Sequence, residues 1–308
     1  MAVSSTLFVR GSQVRLKDSA KQANRNHLGT GARGIMPFVT ASVDASVMAQ
    51  HVGWLWRPAP DSLSNLVSTV PVSSALYDMS YMMMTLTRKD RAQGAMMGSL
   101  VGDALGLGCH WYYDTDALTR DCGKWVEDYR DSLPERTDRF GYIAKWRYDQ
   151  DVRAGDVSQT GQVAVTLWES YAAQGVFDKD DICTRLDEFL APLDGTELSG
   201  RYSDRAVRET WAHRSQGIPW GEAGSSTDTA EAAIWNVVHA AHGDGDMQTL
   251  AVDTHLCVNL THNSSYITGC STAFVLAVGA LINGVGLDAI RKHMSSLRND
   301  PDISARTC

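Results

Sequence analysis

No C-x-x-C pair occurs in the 308 residues. The six cysteines, Cys109, Cys122, Cys183, Cys257, Cys270 and Cys308, stand singly. That spacing excludes a zinc site of ordinary form and reads as free thiols in a reducing compartment. Basic charge is scarce as well. The net charge is −8, which argues against a general nucleic-acid-binding role but leaves room for one phosphate-bearing small molecule in a local site. No apolar segment follows a basic start, so secretion is not expected, and the sequons at Asn259 and Asn263 carry no expectation of glycosylation. Sustained β-alternation is missing and no internal repeat is found, which leaves an all-α chain.

What is present is an ordinary globular composition, 44% hydrophobic and 21% charged, long enough for one large domain or two ordinary ones. Residues 1–88 differ from the rest. Residues 1–50 hold six Arg or Lys against two acids, a local charge of +4 that leaves −12 for residues 51–308. An acid-poor, Arg- and Ser-containing start has the composition of an organellar transit segment, and equally that of a disordered extension. The expected division is an N-terminal extension over 1–88 and one domain over 89–308. The expected location is intracellular, cytoplasmic or organellar.

From Thr85 onward the pattern is helix after helix. Helical spacing runs over Arg88 to Leu107, Thr160 to Ala173 and Lys179 to Leu190. It continues from Ser203, as N-cap, through Trp211, then over Thr227 to His242 and Thr249 to Asn259. The Asp-, Arg- and Tyr-rich stretch 114–155 reads as loop. Tyr266 to Leu287 is uncharged, apolar and long enough to span a membrane. Its Thr, Ser, Asn and Gly content, and the absence of flanking basic or aromatic anchors, make it a buried central helix instead. No membrane partner is expected.

The most informative stretch is Gly94 to Gly106. Its small residues at 94, 95, 98, 102 and 106 lie at helical spacing, a smooth face for close approach by a helix or a ligand. Asp103 stands inside this apolar segment, where an acid must be paired or hydrogen-bonded. His110-Trp-Tyr-Tyr-Asp114 follows directly.

Three landmarks then occur in order. Gly98-x-x-x-Gly102-Asp-Ala-Leu-Gly106 resembles the opening helix of the ADP-ribosylglycohydrolase family. Gln159 to Ser170 resembles the helix that begins with that family's Thr-Asp-Asp-Thr-Gln motif. Leu260-Thr-His-Asn263 resembles its Thr-His segment. Together they cover about residues 90–297, and the 110–114 run is similar to the branch containing J1 crystallins and selenoprotein J. The resemblance implies an all-α, orthogonal helix bundle whose cleft holds two magnesium ions. It implies cleavage of the bond between ADP-ribose and an acceptor, with ADP-ribose or an ADP-ribosylated molecule as partner. It also implies a C-terminal Gly-Gly-Asp-Thr-Asp-Thr motif that finds no match here. The bundle is therefore expected to lack its C-terminal part; Asp228, in a superficially similar Ser-Thr-Asp-Thr, is placed too early to count.

The family carboxylate after the Gly-Asp-Ala-Leu-Gly helix falls on His110. The Thr-Asp-Asp-Thr-Gln motif falls on Ser158, Gln159, Thr160, Gly161 and Gln162, so Ser158, Gln159 and Thr160 occupy the metal positions without a carboxylate. Magnesium prefers a set of oxygen ligands including carboxylates, so weak or absent metal binding is expected. The substrate-binding candidates are His110, Trp111, Gln162, Ser225 and His262, each with a structural alternative where the residues suggest one. His110, Trp111 and Tyr112 line the cleft or close an aromatic core. His262 faces the ligand or caps the helix that begins near 266. Gly224-Ser225-Ser226 offers backbone N–H groups to phosphate or is a plain turn. Asp103 is read as a polar anchor of the scaffold. Asp149 and Asp151 are replacement bases or, more simply, solvated loop charge. Three overall readings stand: a hydrolase of ADP-ribosyl N- or O-glycosidic bonds, a non-catalytic crystallin-like protein, and a truncated gene product with an uncovered apolar face.

Overall fold

The computed structural model describes residues 86–307; residues 1–85, and with them the transit-segment reading, lie outside the described residues. Twelve helices account for the regular structure of the described residues, and the only β-type pairing among them is an isolated bridge between Ser225 and His262. The all-α expectation is met.

Helix α1 (Arg88–Gly108) opens on a capping box: Thr87 Oγ1 accepts from Asp90 N–H, and the Asp90 carboxylate accepts from Thr87 N–H at 2.9 Å. Its core face is Ala92, Met96, Leu100, Ala104 and Leu107. The smooth glycine face behaves differently from expectation. A Cβ added at Gly94, Gly98, Gly102 or Gly106 would meet no atom within 4 Å, and all four are exposed. Among the described residues no helix packs on that stripe, because the larger apolar residues on the other side claim the core.

The stretch expected as loop contains two short helices, α2 (Thr115–Cys122) and α3 (Gly141–Asp149). Asp114 starts α2 by accepting from the N–H groups of Asp116 and Ala117. Helices α4 (Gln159–Gln174) and α5 (Lys179–Leu190) follow, close to the expected bounds. Asp204, not Ser203, stands at the N-cap position of helix α6 (Arg205–Ser215), without a side-chain capping bond. The Ser203 hydroxyl is taken instead by the Gln159 amide at 2.9 Å.

The expected single helix over 227–242 is two pieces, α7 (Glu231–Trp235) and α8 (Val237–His242). The break is at Asn236, fully buried, whose side-chain amide donates to the Ala232 carbonyl at 2.7 Å. An amide that competes for a helix carbonyl turns the chain. Helix α9 (Met247–Thr261) is capped by Asp246, and α10 (Ser265–Ile282) by Ser264. Helix α10 ends at Ile282, five residues before the expected limit, with Asn283 as C-cap and Gly284 at a left-handed φ of 97°. Helices α11 (Ile290–Leu297) and α12 (Pro301–Thr307) complete the described residues.

Two apolar clusters hold the helices together. One joins Leu100 and Ala104 of α1 to Leu167 of α4, Ile182 and Leu186 of α5, Trp235 of α7 and Val258 of α9. The other joins Ala92, Ala240, Leu250, Val275, Leu276 and Ile303. Full burial of a side chain of this size contributes about 1.5–3 kcal/mol. Helix α10 is long and apolar enough to cross a membrane by length and composition alone, yet it packs against α1, α7, α8, α9, α11 and α12. The first cluster fixes α4 against α1 and α7, and polar side chains from these helices and from the residue before α6 converge at the N-terminal end of α4.

Candidate functional site

The convergence begins with Ser158, the N-cap of α4. Its hydroxyl accepts from Thr160 N–H, and both its own N–H and its hydroxyl donate to the Asp103 carboxylate at 2.6 Å. Burial raises the Asp103 pKa, and the Ser158 bonds with the nearby Arg147 and Arg201 charges pull it back in part. Gly161 is obligatory beneath this contact: a Cβ there would stand 2.6 Å from both Asp103 Oδ2 and Val157 Cβ. Asp103 therefore ties α1 to the start of α4.

Gln159 is buried and spends both ends of its amide. Nε2 donates to Ser203 Oγ, and Oε1 accepts from Asp204 N–H at 3.1 Å. Thr160, also buried, points its hydroxyl at Asp204 Oδ2 across 3.5 Å. Burial, together with the charge of Glu231, pushes the Asp204 pKa up to about 6, against the opposing charges of Arg147 and Arg208. Glu231, the first residue of α7, moves the other way. Burial disfavours its charged form, but the His262 and Thr229 side chains beside it outweigh that and lower its pKa. His262 is fully buried; Nδ1 meets Thr261 Oγ1 at 2.9 Å, and Nε2 stands 3.5 Å from Glu231 Oε2, within ion-pair reach but not aligned as a hydrogen bond. Thr229 Oγ1, Glu231 Oε2 and His262 Nε2 are all buried without a hydrogen-bond partner. Glu231 Oε2 and His262 Nε2 face each other across 3.5 Å, which leaves polar capacity here for a further hydrogen-bond partner.

His110 and Arg147 share the same field. His110 keeps a solvent-exposed face, but the protein around it and the Arg147 charge depress its pKa to about 4, so it is neutral at physiological pH. Arg147 of α3 is buried. Its Nε and Nη1 donate to the carbonyls of Arg201 and Leu107, each at 3.2 Å. Burial lowers its pKa to about 10, with Asp204 and Asp103 opposing the shift.

The rim is aromatic. Trp111 stacks on His110 at 5.0 Å and meets Tyr202 edge-on at 5.3 Å. Both have left-handed backbones, φ 68° and 86°, which is rare for bulky residues and costs about 1–3 kcal/mol each. Outward lies a groove of about 550 Å³ lined by Tyr112, Tyr113, Asp114, Asp138, Arg139 and Phe140.

The structure thus brings His110, Trp111, Gln159, Thr160 and His262 to one region. It accounts for the remaining candidates differently. Ser225 is buried, its N–H donates to the Thr261 carbonyl and its hydroxyl to Glu209, so these donors serve the bridge to His262. Gly224 permits that approach, as a Cβ would lie 3.0 Å from Asn263 N. Gln162 is half-buried on the next turn of α4. His262 is the C-cap of α9 and not a cap of α10, because Ser264 takes that role. Asp149 pairs with Lys145 at 2.6 Å, and Asp151 with Arg153 at 2.9 Å, both on the surface. The sequence reading missed Asp204, Glu231 and Arg147. An Asp directly before a helical run is an N-cap signal that could have singled out Asp204; Glu231 and Arg147 carry no such mark.

The donor set does not fit a magnesium pair. Ser158 is committed to Asp103 and Gln159 to Ser203 and Asp204, and the carboxylates that reach Thr160's surroundings share them with a buried guanidinium. Among the described residues no group of three or more His, Cys, Asp or Glu side chains is arranged to hold a metal ion.

Comparison with known proteins agrees with the helical order. The family described as ADP-ribosylglycohydrolase matches residues 84–306. Among curated proteins, the ADP-ribosyl-[dinitrogen reductase] glycohydrolase of Rhodospirillum rubrum is 22% identical over 209 residues, 68% of this chain and 63% of the relative. The chain thus spans somewhat under two thirds of that relative's length.

Proposed function

From the premise that this chain belongs to the ADP-ribosylglycohydrolase family, we propose that it hydrolyses an N- or O-glycosidic bond between ADP-ribose and an acceptor. Asp204 is the proton donor in this reading and Glu231 the base. The observation that carries it is the pair of half-buried carboxylates whose acidities are pushed apart, Asp204 up to about 6 and Glu231 below its usual range. Glycoside hydrolysis needs that division of labour. Protonated Asp204 gives its proton to the departing acceptor atom as the bond to the anomeric carbon breaks. Ionised Glu231 takes a proton from the water whose oxygen bonds to that carbon, so water is consumed and ADP-ribose and the free acceptor leave. Thr160 orients the Asp204 carboxyl, and His262 holds Glu231 in its charged form. His110, neutral and stacked on Trp111, offers a hydrogen bond and a ring face to the ligand. Within the family, the 110–114 run is the basis for proposing the branch of J1 crystallins and selenoprotein J. No step runs through magnesium.

The test is release of free ADP-ribose, read by mass spectrometry, from peptides carrying it on arginine (N-linked) and on serine (O-linked). One of the two is expected to turn over, with an alkaline limb in kcat near pH 6 that Asp204→Asn removes along with about 10²–10⁴ of the rate. Release from neither peptide, with wild-type protein folded, overturns the hydrolase reading.

A further inference from the structure

We propose that the Arg147 guanidinium is the resident cation of this site, and that it binds the ribose oxygens of an ADP-ribosyl ligand without a divalent metal. The inference rests on the ligand class proposed above. It starts from a mismatch: Gln159 and Thr160 stand where carboxylates would be needed, and they and Ser158 already have protein partners. A positive charge is nonetheless built into the same place. Arg147 is buried, and its charge acts on Asp103, Asp204 and His110, groups delivered by α1, the cap of α6 and the loop after α1.

Its surroundings fix the guanidinium without neutralising it. Nε and Nη1 are anchored on two main-chain carbonyls, not on a carboxylate, and the group lies 5.6 Å from the centre of the Tyr202 ring. Among the described residues Nη2 has no hydrogen-bond partner. A buried cation held by neutral oxygens, with one donor nitrogen unspent, is poised to donate to oxygen atoms of a ligand. Asp103 and Asp204 stand near enough to balance its charge without pairing with it directly. The same fixed charge repels a divalent ion in a low-dielectric site, which makes the guanidinium and a metal alternatives to one another. The strained backbones of Trp111 and Tyr202 fit this account. Tyr202 places its ring against Arg147, Trp111 packs on Tyr202, and the strain maintains a positioned cation.

The experiment is calorimetric titration of ADP-ribose into the full chain, once in EDTA and once in millimolar magnesium, for wild type, Arg147→Lys and Arg147→Met. The affinity of wild type is expected to agree between the two buffers within about twofold. Arg147→Met is expected to bind about tenfold or more weakly, the loss of a charged hydrogen bond, and Arg147→Lys to fall between. Binding by wild type that appears only in magnesium overturns this inference and leaves the proposed function standing. Absence of binding in both buffers overturns the proposed function, and this inference with it. The wild-type arms decide between these outcomes even where Arg147→Met fails to fold.

Discussion

At the N-terminal end of α4, Thr160 faces Asp204, with Glu231, His110 and Arg147 around them. At the C-terminal end of the same helix, Tyr171 faces His239, with His242, Phe177 and Asp253 around them, in a cavity of about 410 Å³. Each end holds an aspartate whose pKa is raised by burial to about 6, and an imidazole pushed far below its usual value, to about 4 in His110 and about 3 in His239. The ends part company in their partners. The Tyr171 hydroxyl and His239 Nδ1 close on each other at 2.7 Å, and the His242 ring stacks on Tyr171 at 4.8 Å. Arg88, the cation of that cavity, donates through Nε to Asn283 and through Nη2 to the carbonyls of Ala240 and Gly243. No second carboxylate drives Asp253. A perturbed acid alone is a consequence of burial. A perturbed acid opposed by a second carboxylate of the contrary shift is an arrangement with chemical use.

The largest expected effect separates the two aspartates directly. Asp204→Asn is expected to cost about 10²–10⁴ in the rate of ADP-ribose release, while Asp253→Asn leaves the rate within about twofold. Equal losses would erase the distinction between the ends. The pH dependence of stability comes next. Folded Asp204 keeps its proton to about pH 6, whereas the unfolded chain loses it near pH 4. The contribution is complete below about pH 4 and is lost as the pH rises through about 6, roughly 3 kcal/mol in all. Urea unfolding at a series of pH values is expected to show this decline in wild type and its removal in Asp204→Asn.

Tyr171→Phe sharpens the contrast from the other end. It leaves His239 Nδ1 buried with no partner and is expected to cost about 1–3 kcal/mol of stability by urea unfolding. ADP-ribose affinity is expected to be unchanged. Gly161→Ala forces a methyl against Asp103 and Val157 and is expected to destabilise by about 1–3 kcal/mol. Gly98→Ala meets open space in a helix interior, and a gain of about 0.5–1 kcal/mol is expected. A loss there would reveal a neighbour on the bare stripe of α1.

The long amphipathic helices were legible in the chain because their apolar residues recur at the right period and their ends carry Thr, Asp and Ser caps. Helices α2 and α3 were not, since charged and aromatic residues dominate them and their buried positions are few. The small-residue stripe of α1 was legible as a helix face but misleading about its neighbour; glycine permits close approach and does not compel it. His110, Thr160 and His262 could be placed in one region from the order of motifs. Asp204 and Glu231 could not. Their pairing depends on how α6 and α7 begin relative to α4, a distance relation between segments that no local spacing encodes. Arg147 was hidden for the same reason, since nothing along α3 says that its guanidinium turns inward.

The interruption at Asn236 has a mechanical meaning. Helix α7 is a five-residue arm with Glu231 at its tip, about 7 Å from the joint at a rise of about 1.5 Å per residue. Straightening that joint by about 20° would swing the carboxylate through roughly 2.5 Å, where about 1 Å of misplacement already costs on the order of a hundredfold in rate. One buried amide, donating to the Ala232 carbonyl, therefore sets the aim of a carboxylate one and a half helical turns away.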